Sequence, residues 1–255
     1  MKISQIICKT ALSKSNLPGL DYSLNPYRGC QHKCAYCYVP NVLRIKRSEW
    51  GNFVDIKKNI PVILSNELKF KKNGIVAIST VTDPYQPIEK KFRLTRYCLE
   101  QLLIHDFPVC IQTKSDLIIR DVDLISKFTK SEVMFSIATL NDSERKILEP
   151  YAASIQNRLD ALKKFSDLGI KTSIFFGPVY PTLKINDLSN ILDVFIENGA
   201  KEIMVDKLNL KPGIKENVEK LLKYKISKNL ENYESLNRTL FEIAKEKNIK
   251  IVNAF

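Results

Sequence analysis

From residue 75 onward the chain alternates short β-branched apolar runs with amphipathic helical stretches. That alternation restricts it to a parallel sheet covered by helices. Ile75–Thr80 reads as a buried strand, followed by a helix near Leu94–His105 with Leu94, Cys98, Leu102 and Leu103 on its apolar side. Val109–Gln112, Val133–Ala138, Thr172–Phe176 and Ile203–Leu208 are the next strands. Between them fall helices at Val122–Phe128, Asn157–Leu168 (ended by Gly169) and Asp187–Glu197 (closed by Asn198-Gly199).

A further strand is expected ahead of the cysteine-rich stretch, around Tyr22–Tyr27, which brings the number of βα units to about six. A full eight-unit barrel needs roughly 250 residues before any elaboration. The expected fold is therefore α/β, a partial (β/α)6 barrel. The whole chain, residues 1–255, reads as one domain with its core at about 20–212 and a helical extension at about 213–255. Lys211–Lys247 is expected to be helical and Ile249–Val252 an extra strand. In such sheets ligands gather at the carboxyl ends of the strands. The segments to inspect are Cys30–Tyr38, Thr80–Pro87, Thr113–Asp116, Ser136–Asp142, Gly177–Pro181 and Lys207–Pro212.

Three of the six cysteines, Cys30, Cys34 and Cys37, lie within eight residues in a C-x3-C-x2-C array. Thiolates are soft ligands for iron–sulfur clusters or zinc. Three of them on one loop can hold three corners of a cubane cluster and leave its fourth iron open. The alternative is zinc completed by Cys8 or His32, but structural zinc uses paired cysteine units, and Cys98 and Cys110 stand alone.

With Tyr36 before its last cysteine, the array resembles the signature of radical S-adenosylmethionine (SAM) enzymes. The longer match is to the spore photoproduct lyase-like branch. It is carried by Asn25-Pro-Tyr-Arg-Gly-Cys30, Cys34-Ala-Tyr-Cys37-Tyr38, Thr80-Val-Thr-Asp-Pro-Tyr85, Thr113-Lys-Ser115, Phe135-Ser-Ile137, Leu148-Glu-Pro150, Arg158 and Gly177-Pro-Val-Tyr180.

The resemblance implies that Cys30, Cys34 and Cys37 bind a [4Fe-4S] cluster. At its open iron SAM would be cleaved reductively, giving a 5′-deoxyadenosyl radical that takes a hydrogen atom from the substrate. Carried over residue by residue, Thr82 and Asp83 accept from the SAM amino group, Lys114 faces its carboxylate and Ser136 bonds a ribose oxygen. Tyr36 lies near the adenine, and Arg158 pairs with the SAM carboxylate or with Glu149. Tyr38 matches a tyrosine that relays hydrogen in the lyases. One position departs from the pattern: Thr80 stands where those lyases carry the cysteine that returns a hydrogen to the substrate radical. A hydroxyl O–H bond is too strong for that task, so the substrate reading widens to nucleic acid, a peptide or a metabolite.

The formal net charge is +12, with 13 Lys+Arg against 4 Asp+Glu in residues 1–74. A basic first third suits an anionic partner, nucleic acid first, and Arg44-Ile-Lys46-Arg47 are expected to contact phosphates. A non-catalytic zinc or iron–sulfur protein that binds nucleic acid is the competing reading. The radical reading also implies an electron donor such as ferredoxin or flavodoxin. With no secretory signal and no long apolar run, the sequence reads as cytoplasmic with no membrane partner.

Overall fold

The computed structural model describes residues 1–226 and 231–254. Its strands are β1 (Lys2–Ile6), β2 (Leu12–Lys14), β3 (Tyr22–Leu24), β4 (Tyr27–Arg28), β5 (Phe53–Lys57), β6 (Val76–Ile78), β7 (Val109–Thr113), β8 (Ser131–Ser136), β9 (Lys171–Phe176), β10 (Glu202–Val205) and β11 (Lys250–Asn253). Eight form one sheet in the order β11-β10-β9-β8-β7-β6-β3-β2. Every neighbouring pair in it is parallel except β2–β3. The six expected βα units are β3, β6, β7, β8, β9 and β10, and β11 is the extra strand expected at the end of the chain.

The helices between these strands include Ile60–Leu68, Leu94–Ile104, Val122–Ile125, Ile155–Asp167 and Leu188–Glu197. The expected Val122–Phe128 helix starts where expected but ends at Ile125, and a 3-10 turn, Asp116–Asp121, precedes it. The expected helical segment at 211–247 carries Ile214–Leu222 and Glu231–Glu246, while its residues 227–230, and residue 255, lie outside the described residues.

The expected strand at 22–27 is in fact two strands in two sheets. Asn25-Pro26 divides them, since Pro26 offers no N–H to a ladder. β3 joins the large sheet, and β4 joins β1 and β5 in a small one, ordered β1-β5-β4, that the sequence reading did not foresee. The Asn25 side chain fills the gap by accepting from the Thr80 and Val81 amides at 3.0 and 3.1 Å.

Side-chain alternation sorts each parallel strand into a helix-facing and an inner row. Val133 and Phe135 of β8 and Ile174 and Phe176 of β9 lie in the main apolar core. There Phe135 meets Phe165 of one helix and Phe176 meets Phe195 of another, ring centres 6.5 and 5.7 Å apart. The intervening residues turn inward, so the inner row holds Gln112, Met134, Ser136, Phe175 and Met204. At the carboxyl end it finishes with Lys114, Gly177 and Asp206. At the amino end Lys171 bridges Glu132 and Glu202 at 2.8 and 3.4 Å, Lys250 pairs Glu202 at 3.1 Å, and the Ser173 hydroxyl donates to Glu132.

Candidate active site

The cysteine loop starts at Gly29, with φ +89°, where a Cβ would collide with the Phe53 carbonyl of β5. Only glycine lets the small sheet press this closely on the loop. Thr82 and Gln86 clamp the same turn: the Thr82 hydroxyl and the Gln86 amide both donate to the Gly29 carbonyl, at 2.5 and 3.3 Å. On the far side the Ala35 amide donates to Leu148 O at 2.8 Å, and Asn217 of the Ile214–Leu222 helix donates to Ala35 O at 2.8 Å. Ile214 and Val218 pack on Ala35 and Tyr36. The C-terminal extension is thus part of the loop's support.

Burial pushes the pKa of all three thiols of the loop up, Cys30 to about 12. For Cys34 the nearby Glu149 adds to this, while the Lys114 ammonium pulls the other way. For Cys37 the Val39 amide, Lys114, Arg47 and the Trp50 indole oppose the burial. Desolvated thiols ionise when a cation compensates them, and three soft donors on one loop fit an iron–sulfur group. The zinc alternatives find no support in placement. Cys8 packs against the main core, its amide and carbonyl tied to the Asn59 side chain. His32 turns toward Asp83, Nδ1 3.3 Å from Oδ2.

A buried polar network lies under the loop. The Tyr36 hydroxyl donates to Glu149, whose other oxygen takes Arg158 Nη2 at 2.5 Å. Arg158 is fully buried, and its remaining donors go to Ala153 O and Ser136 O at 3.0 and 2.8 Å. Of the two partners expected for Arg158, the structure shows Glu149. Burial disfavours the Glu149 carboxylate, yet Arg158 and then Lys114 and Tyr36 hold its pKa below the usual range. The Lys114 ammonium sits 5.8 Å from the centre of the Tyr36 ring and makes no ion pair among the described residues. Ser136, buried, accepts from Gln112 at 3.0 Å.

Asp83 is occupied with local order. It accepts from the Tyr85 amide, the Thr113 hydroxyl and the Lys114 amide at 2.9, 2.7 and 2.8 Å. Burial alone would raise its pKa, but His32 and these donors bring it to about 2. Asp83 therefore fixes the ends of β6 and β7 against the cysteine loop. Tyr38 stands at the rim, 45% exposed, its hydroxyl donating to Thr80 O at 3.1 Å.

Arg47, expected on phosphates, is instead spent on the Cys37 carbonyl and Asn41 at 3.0 and 2.7 Å. The sequence reading also missed Asp206. This half-buried carboxylate ends the inner row of β10, and burial raises its pKa above the usual range. It lies near enough to Tyr38 to oppose that hydroxyl's ionisation, after burial and Cys37. The signal was available in the period-two pattern of Glu202–Asp206, where Ile203 and Val205 face the helices.

Residues 24–195 match the radical SAM superfamily. The chain belongs to that family. It is a radical SAM enzyme, a class whose members use SAM and an iron–sulfur cluster. It is 36% identical over 184 residues to an uncharacterized protein of Methanocaldococcus jannaschii, covering 72% of this chain and 70% of that one. A radical SAM Nα-GlyT isomerase of Pseudomonas phage M6 is 29% identical over 164 residues, 64% of this chain and 34% of the phage protein. Among solved structures, spore photoproduct lyase complexed with a dinucleoside spore photoproduct superposes with a TM-score of 0.74 at 14% identity, covering 99% of this chain and 82% of the other. SuiB of Streptococcus suis bound to SAM gives 0.61 at 17% identity over 91% of this chain and 49% of that one. The fold of this radical SAM enzyme is thus that of the lyase, including the partial barrel.

Proposed function

We propose that this radical SAM enzyme binds a [4Fe-4S] cluster at Cys30, Cys34 and Cys37 and acts on a nucleic-acid substrate at the carboxyl end of the barrel. The observation that carries the reading is a three-thiol loop, Cys30 buried and Cys34 and Cys37 half-buried, with the ammonium of Lys114 beside it and no ion pair to that ammonium among the described residues. When bound, the cluster supplies the electron that cleaves SAM and frees the adenosyl radical for hydrogen abstraction.

The protein's own work is positioning and exclusion of water. Lys114 offers its charge to the SAM carboxylate, in an enclosed site where a charge-assisted contact is strong. Glu149, held ionised by Arg158, fixes the Tyr36 ring that packs beside that ammonium. Ser136 is placed for a sugar hydroxyl on the inner row, and Thr82 and Asp83 hold the loop that receives the SAM amino group. Residues 1–255 act as one domain, because the Ile214–Leu222 helix supports the cysteine loop directly.

Photoproduct repair of the lyase type is not the activity proposed. Thr80 occupies the cysteine position, with its amide on Asn25 and its carbonyl under Tyr38. Cys98 is fully buried on a helix, and Cys110 lies at the amino half of β7 beside Glu132. Tyr38 reaches the rim, where the resemblance gives its phenol a part in relaying hydrogen. Nucleic acid is favoured as substrate by the +9 balance of residues 1–74. The test is anaerobic reconstitution with iron and sulfide, then SAM and dithionite, assaying 5′-deoxyadenosine with and without single-stranded DNA or RNA. Formation by the wild type and not by Cys34→Ala, stimulated by the oligonucleotide, is the expected result. One equivalent of zinc, no cluster absorbance and no 5′-deoxyadenosine would leave a non-catalytic binding protein.

A further inference from the structure

Two separate lines of bonds run from the cysteine loop and converge on Lys114. Its ammonium makes no ion pair among the described residues and lies 5.8 Å from the centre of the Tyr36 ring. Its main chain, by contrast, is held on both sides. The Lys114 amide donates to Asp83 Oδ2 at 2.8 Å, and the Lys114 carbonyl accepts from the Ala153 amide at 3.1 Å. A lysine with a fixed backbone and an uncommitted head is set to meet an anion.

Each hold leads back to the loop. From Ala153 the path runs through Arg158, whose Nε donates to the Ala153 carbonyl at 3.0 Å, then to Glu149 and the Tyr36 hydroxyl. From Asp83 it runs to His32, midway between Cys30 and Cys34. His32 is 1% exposed, and its Nδ1 lies 3.3 Å from the same Asp83 oxygen that takes the Lys114 amide. A carboxylate only accepts, so the ring nitrogen facing it carries the hydrogen. The other Asp83 oxygen is filled by the Tyr85 amide and the Thr113 hydroxyl, which holds the carboxylate in one orientation. Burying an imidazole costs stability unless its polar atoms are met, and an apolar side chain would fill the same space without that cost. The residue type at position 32 therefore points to the Asp83 contact.

We infer that His32 is a positioning residue for SAM binding: through Asp83 it passes the placement of the cysteine loop to the Lys114 main chain, and so sets where the ammonium meets the SAM carboxylate. The inference rests on the reading that the loop holds the cluster and that Lys114 receives SAM. His32 touches neither; it acts through Asp83 and Lys114. Order in the loop thereby raises the affinity for SAM, and bound SAM favours the ordered loop by the same factor.

The test measures SAM affinity by equilibrium dialysis on the anaerobically reconstituted full chain, with iron per chain counted for every variant. Wild type, His32→Leu, Lys114→Met and their double variant form a cycle that isolates what the two residues share. His32→Leu is expected to take up iron like the wild type and to bind SAM about fivefold more weakly, as the loss of an outer partner does. Added to Lys114→Met, it should cost nothing further. His32→Asn, whose amide nitrogen takes the place of Nδ1, should recover most of the affinity. Unchanged affinity in His32→Leu, an equal loss in the Lys114→Met background, or no recovery in His32→Asn overturns the inference. If His32→Leu takes up no iron, the cycle is run with His32→Gln, whose donor stands at the Nε2 position instead. Loss of iron there too assigns His32 to folding of the loop alone and also overturns the inference. A wild type without cluster absorbance, or a Lys114→Met variant that binds SAM as the wild type does, sinks the underlying reading and this inference with it. Either result is distinguishable from the others, because it does not involve a change at His32.

Discussion

The two ends of the barrel interior treat charge in opposite ways. At the amino end Glu132, Lys171, Glu202 and Lys250 form a chain of partners, with Ser173 completing it. At the carboxyl end Lys114 and Asp206 face inward without an ion pair among the described residues, while Glu149 and Arg158 satisfy each other just beneath. Charges with partners account for the fold. Charges without them cost stability, and are kept where a ligand is to supply the partner. The contrast separates residues that build this barrel from those that use it.

The largest effect is expected where a pair is both buried and complete. Arg158→Met leaves the buried Glu149 with only Tyr36 and the more distant Lys114 to oppose the cost of its burial. Loss of one member of such a pair costs about 3–5 kcal/mol, read from the denaturant midpoint of the metal-free chain. A cost under about 1 kcal/mol, the value of an exposed pair, would place Glu149 and Arg158 with the solvated charges and break the contrast.

Two aspartates at the carboxyl end sharpen it, because they shift in opposite directions. Asp83, at about 2, lies below its unfolded value. Its contribution is therefore complete above about pH 4 and lost as pH falls toward 2, an amount of roughly 2 kcal/mol. Asp206 is raised by burial, so its ionised form burdens the fold above its own pKa and ceases to do so in acid. Unfolding of Asp83→Asn at pH 7 and below pH 4, and of Asp206→Asn at pH 7 and pH 4, checks both signs. Asp83→Asn is destabilised at pH 7, and Asp206→Asn is slightly stabilised there with the gain fading in acid. Changes of the same sign would show that the two carboxylates do the same job.

Much of this organisation was legible beforehand, for physical reasons. The period-two rows of β8 and β9 and the helix–strand alternation are written in apolar residues, so five of the six units and the added β11 could be read from Ile75 onward. The cysteine spacing named the loop. Illegible were contacts between distant segments. Nothing in Asn217 announces a bond to Ala35, 182 residues away. Arg47 reads as a solvated cation until the fold brings Cys37 to it. The small sheet escaped notice because β4 is two residues long and its partner β5 lies beyond the cysteine loop. The bonds of Asp83 to the Thr113 hydroxyl and the Lys114 amide, 30 and 31 residues away, were likewise hidden from the sequence.

Lys114→Met tests the other half of the contrast, with a smaller effect. Its ammonium makes no ion pair among the described residues, so the unfolding midpoint should move by less than about 0.5 kcal/mol. Affinity of the reconstituted protein for SAM, measured by equilibrium dialysis, should fall about tenfold, or about 1.4 kcal/mol. Lys171→Met at the amino end is the mirror case. Its ammonium is about half exposed, at 51%, so removal should lower stability by under about 1 kcal/mol and leave SAM affinity alone. If Lys171→Met changed SAM affinity while Lys114→Met did not, the ligand would enter from the amino end, and the division between building and using charges would have to be reversed.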